Sequence, residues 1–165
     1  MTAPITLFTL GYGRWPTPAR GSKLVAALKA AGVDLLVDIR HSPCASNLDP
    51  ANAYGPKGTS LQAGEAGIVP LLRAGGISYL WLVELGNPQK NDDEMRILKE
   101  HLTAGVDSDW PVARGLKLAK DLVLSGKRVA LMCACGQYGG CHRKPVAEAI
   151  LKLLPPGTEH RDLTG

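Results

Sequence analysis

Residues 128–157 read "RVALMCACGQYGGCHRKPVAEAILKLLPPG", and their pattern decides the fold. "RVALMC" at 128–133 is an apolar run of strand length. "GQYGG" follows, with three glycines in five positions, so the chain can turn sharply there. Pro145 then suits the first turn of a helix. Val146, Ile150, Leu153 and Leu154 share one face of that helix, and "PPG" at 155–157 ends it. The unit is strand, loop, helix.

Working outward, the same unit recurs. "ITLFTL" at 5–10 is a strand that runs into the turn Gly11-Tyr12-Gly13. After the loop "RWPTPARGS", a helix starts at Ser22, spaces Leu24, Leu28 and Ala31 helically, and stops at Gly32. "VDLLVDI" at 33–39 is a second strand, and the Ser-, Pro-, Asn- and Gly-rich stretch 41–62 is a long loop. A helix around 64–74 leads to a third strand, "ISYLWLV" at 77–83. Asn91 or Asp92 caps the next helix, which ends near Ala104. Ser108 or Asp109 starts another, with Pro111 in its first turn, Leu116, Ala119, Leu122 and Val123 inward, and Gly126 at its end. "TEHRDL" at 158–163 is expected as a fifth, edge strand. Strands alternating with helices predict an α/β three-layer sandwich with a mainly parallel sheet of about five strands, built as a single domain over 1–165.

Composition narrows the function classes. The 165 residues are 45% hydrophobic and 21% charged, an ordinary globular balance, and the single Phe makes the core aliphatic. No apolar run reaches the length of a membrane span. The opening "MTAPITLFTLGYG" lacks a basic flank and cleavage pattern, so a cytoplasmic location without membrane association is expected. A net charge of +4 tolerates a phosphorylated ligand or nucleic acid without pointing to either. Four cysteines, three of them within nine residues, point to thiol, redox or metal chemistry rather than a disulfide framework.

A parallel sheet collects the ends of its strands at one edge, where ligands bind. Three unusual segments follow strand ends here: Tyr12 and Arg14, then Asp38, Arg40 and His41, then Cys133 to Arg143. Cys133 and Cys135, two apart, share a face in extended geometry. Cys141, His142 and Arg143 open the last helix, whose free N–H groups favour an anion or thiolate. Four readings stand: a thiolate in an anion pocket, a metal site of Cys133, Cys135, Cys141 and His142, a Cys135–Cys141 redox pair, or a buried strand cysteine with polar bystanders. Asp38 is costly at the end of an apolar run unless paired, and a salt bridge is its plain alternative. Arg40 and Arg143 are candidates for holding the anion, and His41 and His142 for moving protons.

Taken together, "FTLGYGRWP", "LLVDIRHSP", "YLWLVELGNP" and "LMCACGQYGGCHRKPVAEAIL" resemble the bacterial and archaeal family known as domain of unknown function 488. The likeness runs in order through nearly the whole chain. It implies an α/β fold and Asp38, Arg40, Cys133, Cys141, His142 and Arg143 as a shared site, but no activity or cofactor. Cys135 stands where that family often carries Glu. The segment is also similar in outline to rhodanese-type domains, which place a cysteine loop and an Arg before a helix. The expectation is thiol-dependent or acid–base chemistry on a small anionic substrate, with Cys133 or Cys141 as thiol. The alternatives are a non-catalytic binding module for nucleotide, nucleic acid or partner protein, and a Cys/His metal site.

Overall fold

In the computed structural model the described residues are 5–12, 15, 20–39, 69–85, 96–107, 111–133, 138–139 and 141–163. Among them five strands form one sheet: β1 (Thr6–Gly11), β2 (Leu35–Asp38), β3 (Ser78–Trp81), β4 (Val129–Cys133) and β5 (Glu159–Asp162). Five helices alternate with them: α1 (Arg20–Ala30), α2 (Val69–Ala74), α3 (Arg96–Ala104), α4 (Pro111–Leu124) and α5 (Arg143–Leu153). The strand order is β3-β2-β4-β1-β5 and every pairing is parallel. The α/β sandwich expected from the alternation is therefore present, and β5 is its edge strand. The third strand is shorter than its apolar run. It ends at Trp81, and Val83–Leu85 form a 3-10 turn that carries Glu84.

Connections between parallel strands are almost always right-handed, so the direction of travel across the sheet decides which face each helix covers. From β1 the chain moves through β2 to β3. It then crosses back to β4 and on to β5. Leu24 and Leu28 of α1 and Leu72 of α2 accordingly pack with Phe8, Leu10, Leu36 and Met132 on one face. Leu98, Leu116, Val123, Val146 and Ile150 of the other helices pack with Leu7, Val37, Leu131 and Cys133 on the opposite face. The central strands lie between both layers, which is why β2 and β4 are buried at every position and read as continuous apolar runs.

Helix ends are closed by local chemistry. At the end of α1, Gly32 (φ 72°) donates to the Lys29 carbonyl and Val33 to that of Leu28. Gly76 (φ 77°) and Ile77 repeat the pattern on Arg73 and Leu72. Both are Schellman motifs, in which glycine takes the left-handed position and the next apolar residue turns back to the core. Val33 and Ile77 are buried in the same cluster as Leu28 and Leu72. No described helix is long and apolar enough to cross a membrane.

Where β1 and β4 lie side by side, α1 leaves towards one face and α5 towards the other. That divergence is a topological switch point, the place at the carboxyl edge where open parallel sheets commonly bind ligands.

Candidate functional site

The register at that edge sets Gly11 of β1 beside Cys133 of β4, and Asp38 of β2 beside Met132. Side chains alternate along a strand, so the residues of one rim separate onto two faces. Cys133 lies under α5. Asp38 lies on the α1 and α2 side, fully buried, where the Tyr79 hydroxyl donates to its Oδ2 at 2.7 Å. Tyr12 is buried with that second layer too. Of the ten candidates named from sequence, Arg14, Arg40, His41 and Cys135 lie outside the described residues.

Cys133, Cys141, His142 and Arg143 come together. The sulfurs of Cys133 and Cys141 lie against each other; with Cα atoms 7.8 Å apart, beyond the span of a disulfide, and both residues 1% exposed, they form a buried thiol pair. The pair links the end of β4 to the residue before the N-cap of α5. The redox pairing weighed from sequence joined Cys141 to Cys135, which lies outside the described residues; the sulfur beside Cys141 among the described residues is that of Cys133. Both sulfurs take donors from Arg143. Its Nη1 is 3.2 Å from Cys133 Sγ, and its backbone N–H is 3.4 Å from Cys141 Sγ.

His142 is tied to β2. Its Nε2 lies 2.7 Å from the Ile39 carbonyl oxygen. A carbonyl only accepts, so Nε2 carries the proton. In the neutral ring Nδ1 then presents its lone pair, and that atom lies 3.9 Å from Cys141 Sγ. Burial lowers the pKa of His142 and the charge of Arg143 acts the same way, while the Ile39 carbonyl and Asp38 oppose them. Neutral imidazole is thus favoured, which leaves a base beside the sulfur.

Arg143 does not project into open solvent. It is fully buried, and its Nε and Nη2 donate to the two carboxylate oxygens of Asp162 at 3.2 and 3.4 Å. The guanidinium carbon also lies 5.6 Å from the centre of the Tyr138 ring, within cation–π range. Asp162 Oδ1 accepts from the Thr9 hydroxyl at 2.7 Å, and Thr9 Oγ1 is 2.8 Å from His160 Nε2. The His160 ring packs on Tyr138, with centroids 4.8 Å apart. Sequence reasoning missed Thr9, Tyr138, His160 and Asp162. One signal was present: His160 and Asp162 alternate along the expected edge strand, so they face the same way.

Cys133, Cys141 and His142 could also hold a metal ion, since one donor atom from each lies within 4.8 Å of the others. Two thiolates and an imidazole form a zinc-type donor set. A His that binds metal usually gives its other N–H to a carbonyl, as His142 does to Ile39. A separate cavity of about 420 Å³ lies between α3 and α5, lined by Leu102, Leu116, Pro145 and Ala149 with Lys99 and Lys152. It contains none of the candidate residues, and the hydrogen-bonding chemistry lies at the switch point instead. Comparison of the chain with protein-family models, with curated proteins and with solved structures finds no match.

Proposed function

We propose that this protein carries out thiol-dependent chemistry on a small anionic or phosphorylated substrate at the carboxyl edge of its sheet. Cys141 is the thiol, His142 its base and Cys133 the partner sulfur. The orientation of His142 carries this reading. The Ile39 carbonyl commits Nε2 as donor, so Nδ1 faces Cys141 as acceptor. This is how a third group orients the base in a Cys–His arrangement.

The step begins with Cys133 and Cys141 as thiols. Nδ1 of His142 then takes the Cys141 proton, and the thiolate attacks the electrophilic sulfur or phosphorus of the substrate. Charge on sulfur is supported by the Arg143 backbone N–H, at 3.4 Å from Cys141 Sγ, and by the positive end of α5. The motif likeness to the family of domain of unknown function 488 supports the choice of residues and adds no activity.

The test is alkylation of the reduced protein by iodoacetamide at pH 6.5, mapped to each cysteine by mass. Cys141 reacts faster than a model thiol, and His142→Gln slows it at least tenfold. Slow reaction of both Cys133 and Cys141, unchanged in the variant, refutes the proposal. The 1% exposure of both residues makes this a demanding test.

The clustering of three donors favours a second reading, a metal centre. A mass surplus near that of one zinc ion in native spray, lost on denaturation, would establish it and remove Cys141 as a free nucleophile.

A further inference from the structure

We propose that the cavity between α3 and α5 is a binding site for a small amphipathic carboxylate, a monoanion with one apolar body. It shares no residue with the cysteine site, so it stands or falls apart from the thiol reading.

Helical spacing places the lining. Arg143, Val146, Ala147 and Ile150 form the buried face of α5. Pro145, Glu148, Ala149, Lys152 and Leu153 recur at intervals of three and four along the next stripe of the same helix, and all five line the cavity. On α3, Lys99, Leu102 and Thr103 keep the same spacing and line it from the other side. The gap has a cause. Ala149 is short, and the Thr103 hydroxyl turns back to donate to the Lys99 carbonyl at 2.8 Å. The chain then leaves α3 through Gly105, whose φ is 70°. These positions leave the space between the helices unfilled, above a floor of buried Leu102 and Leu116.

The lining selects the ligand. Leu102, Leu116, Pro145, Ala149 and Leu153 offer hydrocarbon to an apolar body, whose burial drives binding. Lys99, Glu148 and Lys152 are exposed and carry the charge of the rim. Among the described residues neither lysine has a carboxylate within ion-pair distance. Lysine stems lie along apolar surface while their heads reach an anion. Two ammonium groups against one carboxylate leave one net positive charge, which matches a monoanion. Glu148 on the same wall repels the second charge of a phosphate. A volume of about 420 Å³ is near the lower end of small-molecule sites, about 300–1,000 Å³. That suits a medium-length chain or a fused ring rather than a long lipid.

The experiment titrates the isotopically labelled full chain with octanoate and with 2-naphthoate and follows the backbone amide shifts. At least one acid binds saturably with a Kd of about 1 mM or tighter, and the shifts centre on Leu102, Gly105, Ala149 and Lys152. The amine and the phosphate monoester of the same body bind at least tenfold more weakly. Lys99→Gln combined with Lys152→Gln weakens the acid at least tenfold, Ala149→Leu fills the cavity and abolishes binding, and Glu148→Gln removes the discrimination against phosphate. If Ala149→Leu does not fold, the double lysine variant, altered only at exposed positions, decides. No saturable binding of either acid, shifts centred elsewhere, or affinity within twofold of wild type in the double lysine variant overturns the inference. Each of these results leaves the cysteine chemistry to its own alkylation test.

Discussion

Replacing Arg143 with Met tests the buried fork directly. Met keeps an unbranched, adaptable stem and deletes the guanidinium, whose bonds include two to Asp162 and one to Cys133. Breaking a buried ion pair by removing one partner costs about 3–5 kcal/mol, because the other charge stays behind. The Asp162 side chain is 17% exposed, so water recovers part of that loss. The Thr9 hydroxyl still donates to it. The expected cost is at the low end, about 3 kcal/mol, which lowers Tm by roughly 6–12 °C for a domain of this size. Urea unfolding under a reductant measures it with both cysteines as thiols in every variant. Asp162→Asn completes a double-mutant cycle, and the double variant costs about 1.5–2 kcal/mol less than the two single changes together. A cost for Arg143→Met below about 1 kcal/mol, or additivity within about 0.5 kcal/mol, refutes the reasoning.

Two further outcomes are expected. A Cβ built at Gly115 of α4 would lie 2.9 Å from Cγ and Cδ2 of the fully buried Leu85. Overpacking of about 1–3 kcal/mol therefore outweighs the roughly 1 kcal/mol that Ala gains in helix propensity, and Gly115→Ala lowers the urea midpoint; a rise would show that Leu85 yields. Burial lowers the pKa of His160 and the Arg143 charge assists, while Asp162 and Glu148 oppose them and Tyr138 packs on its ring. The folded chain thus refuses a proton that the unfolded chain accepts. The His160 contribution is complete above the ordinary histidine pKa of about 6.5 and declines as pH falls below it towards the lowered folded value. His160→Gln flattens the Tm profile in that window, and an unchanged slope refutes the assignment.

Much of the fold was legible because its signals are local. Apolar runs of strand length, helical spacing such as that of Leu24 and Leu28, and glycines at helix ends need only neighbouring residues to be read. The first turn of α5 was legible in the same way, from Pro145 and the run Cys141-His142-Arg143. The lengths of elements were less so. "ISYLWLV" looks like one strand, yet the chain leaves the sheet after Trp81, and Leu82 and Leu85 pack against the α4 layer instead.

The sequence by itself determined the alternating α/β architecture and that Cys141, His142 and Arg143 stand at the start of the last helix. Tertiary structure alone decided how those residues pair. It set the strand order, and with it the two faces that separate Asp38 from Cys133. It brought Cys133 beside Cys141, and it turned Arg143 inward to Asp162 rather than out to solvent. Thr9 meets His160 and Asp162 across separations of 151 and 153 residues. Periodicity reports which side of its own element a residue faces. It carries no record of which distant strand will lie alongside, because that depends on crossover direction and on burying both faces of the sheet at once.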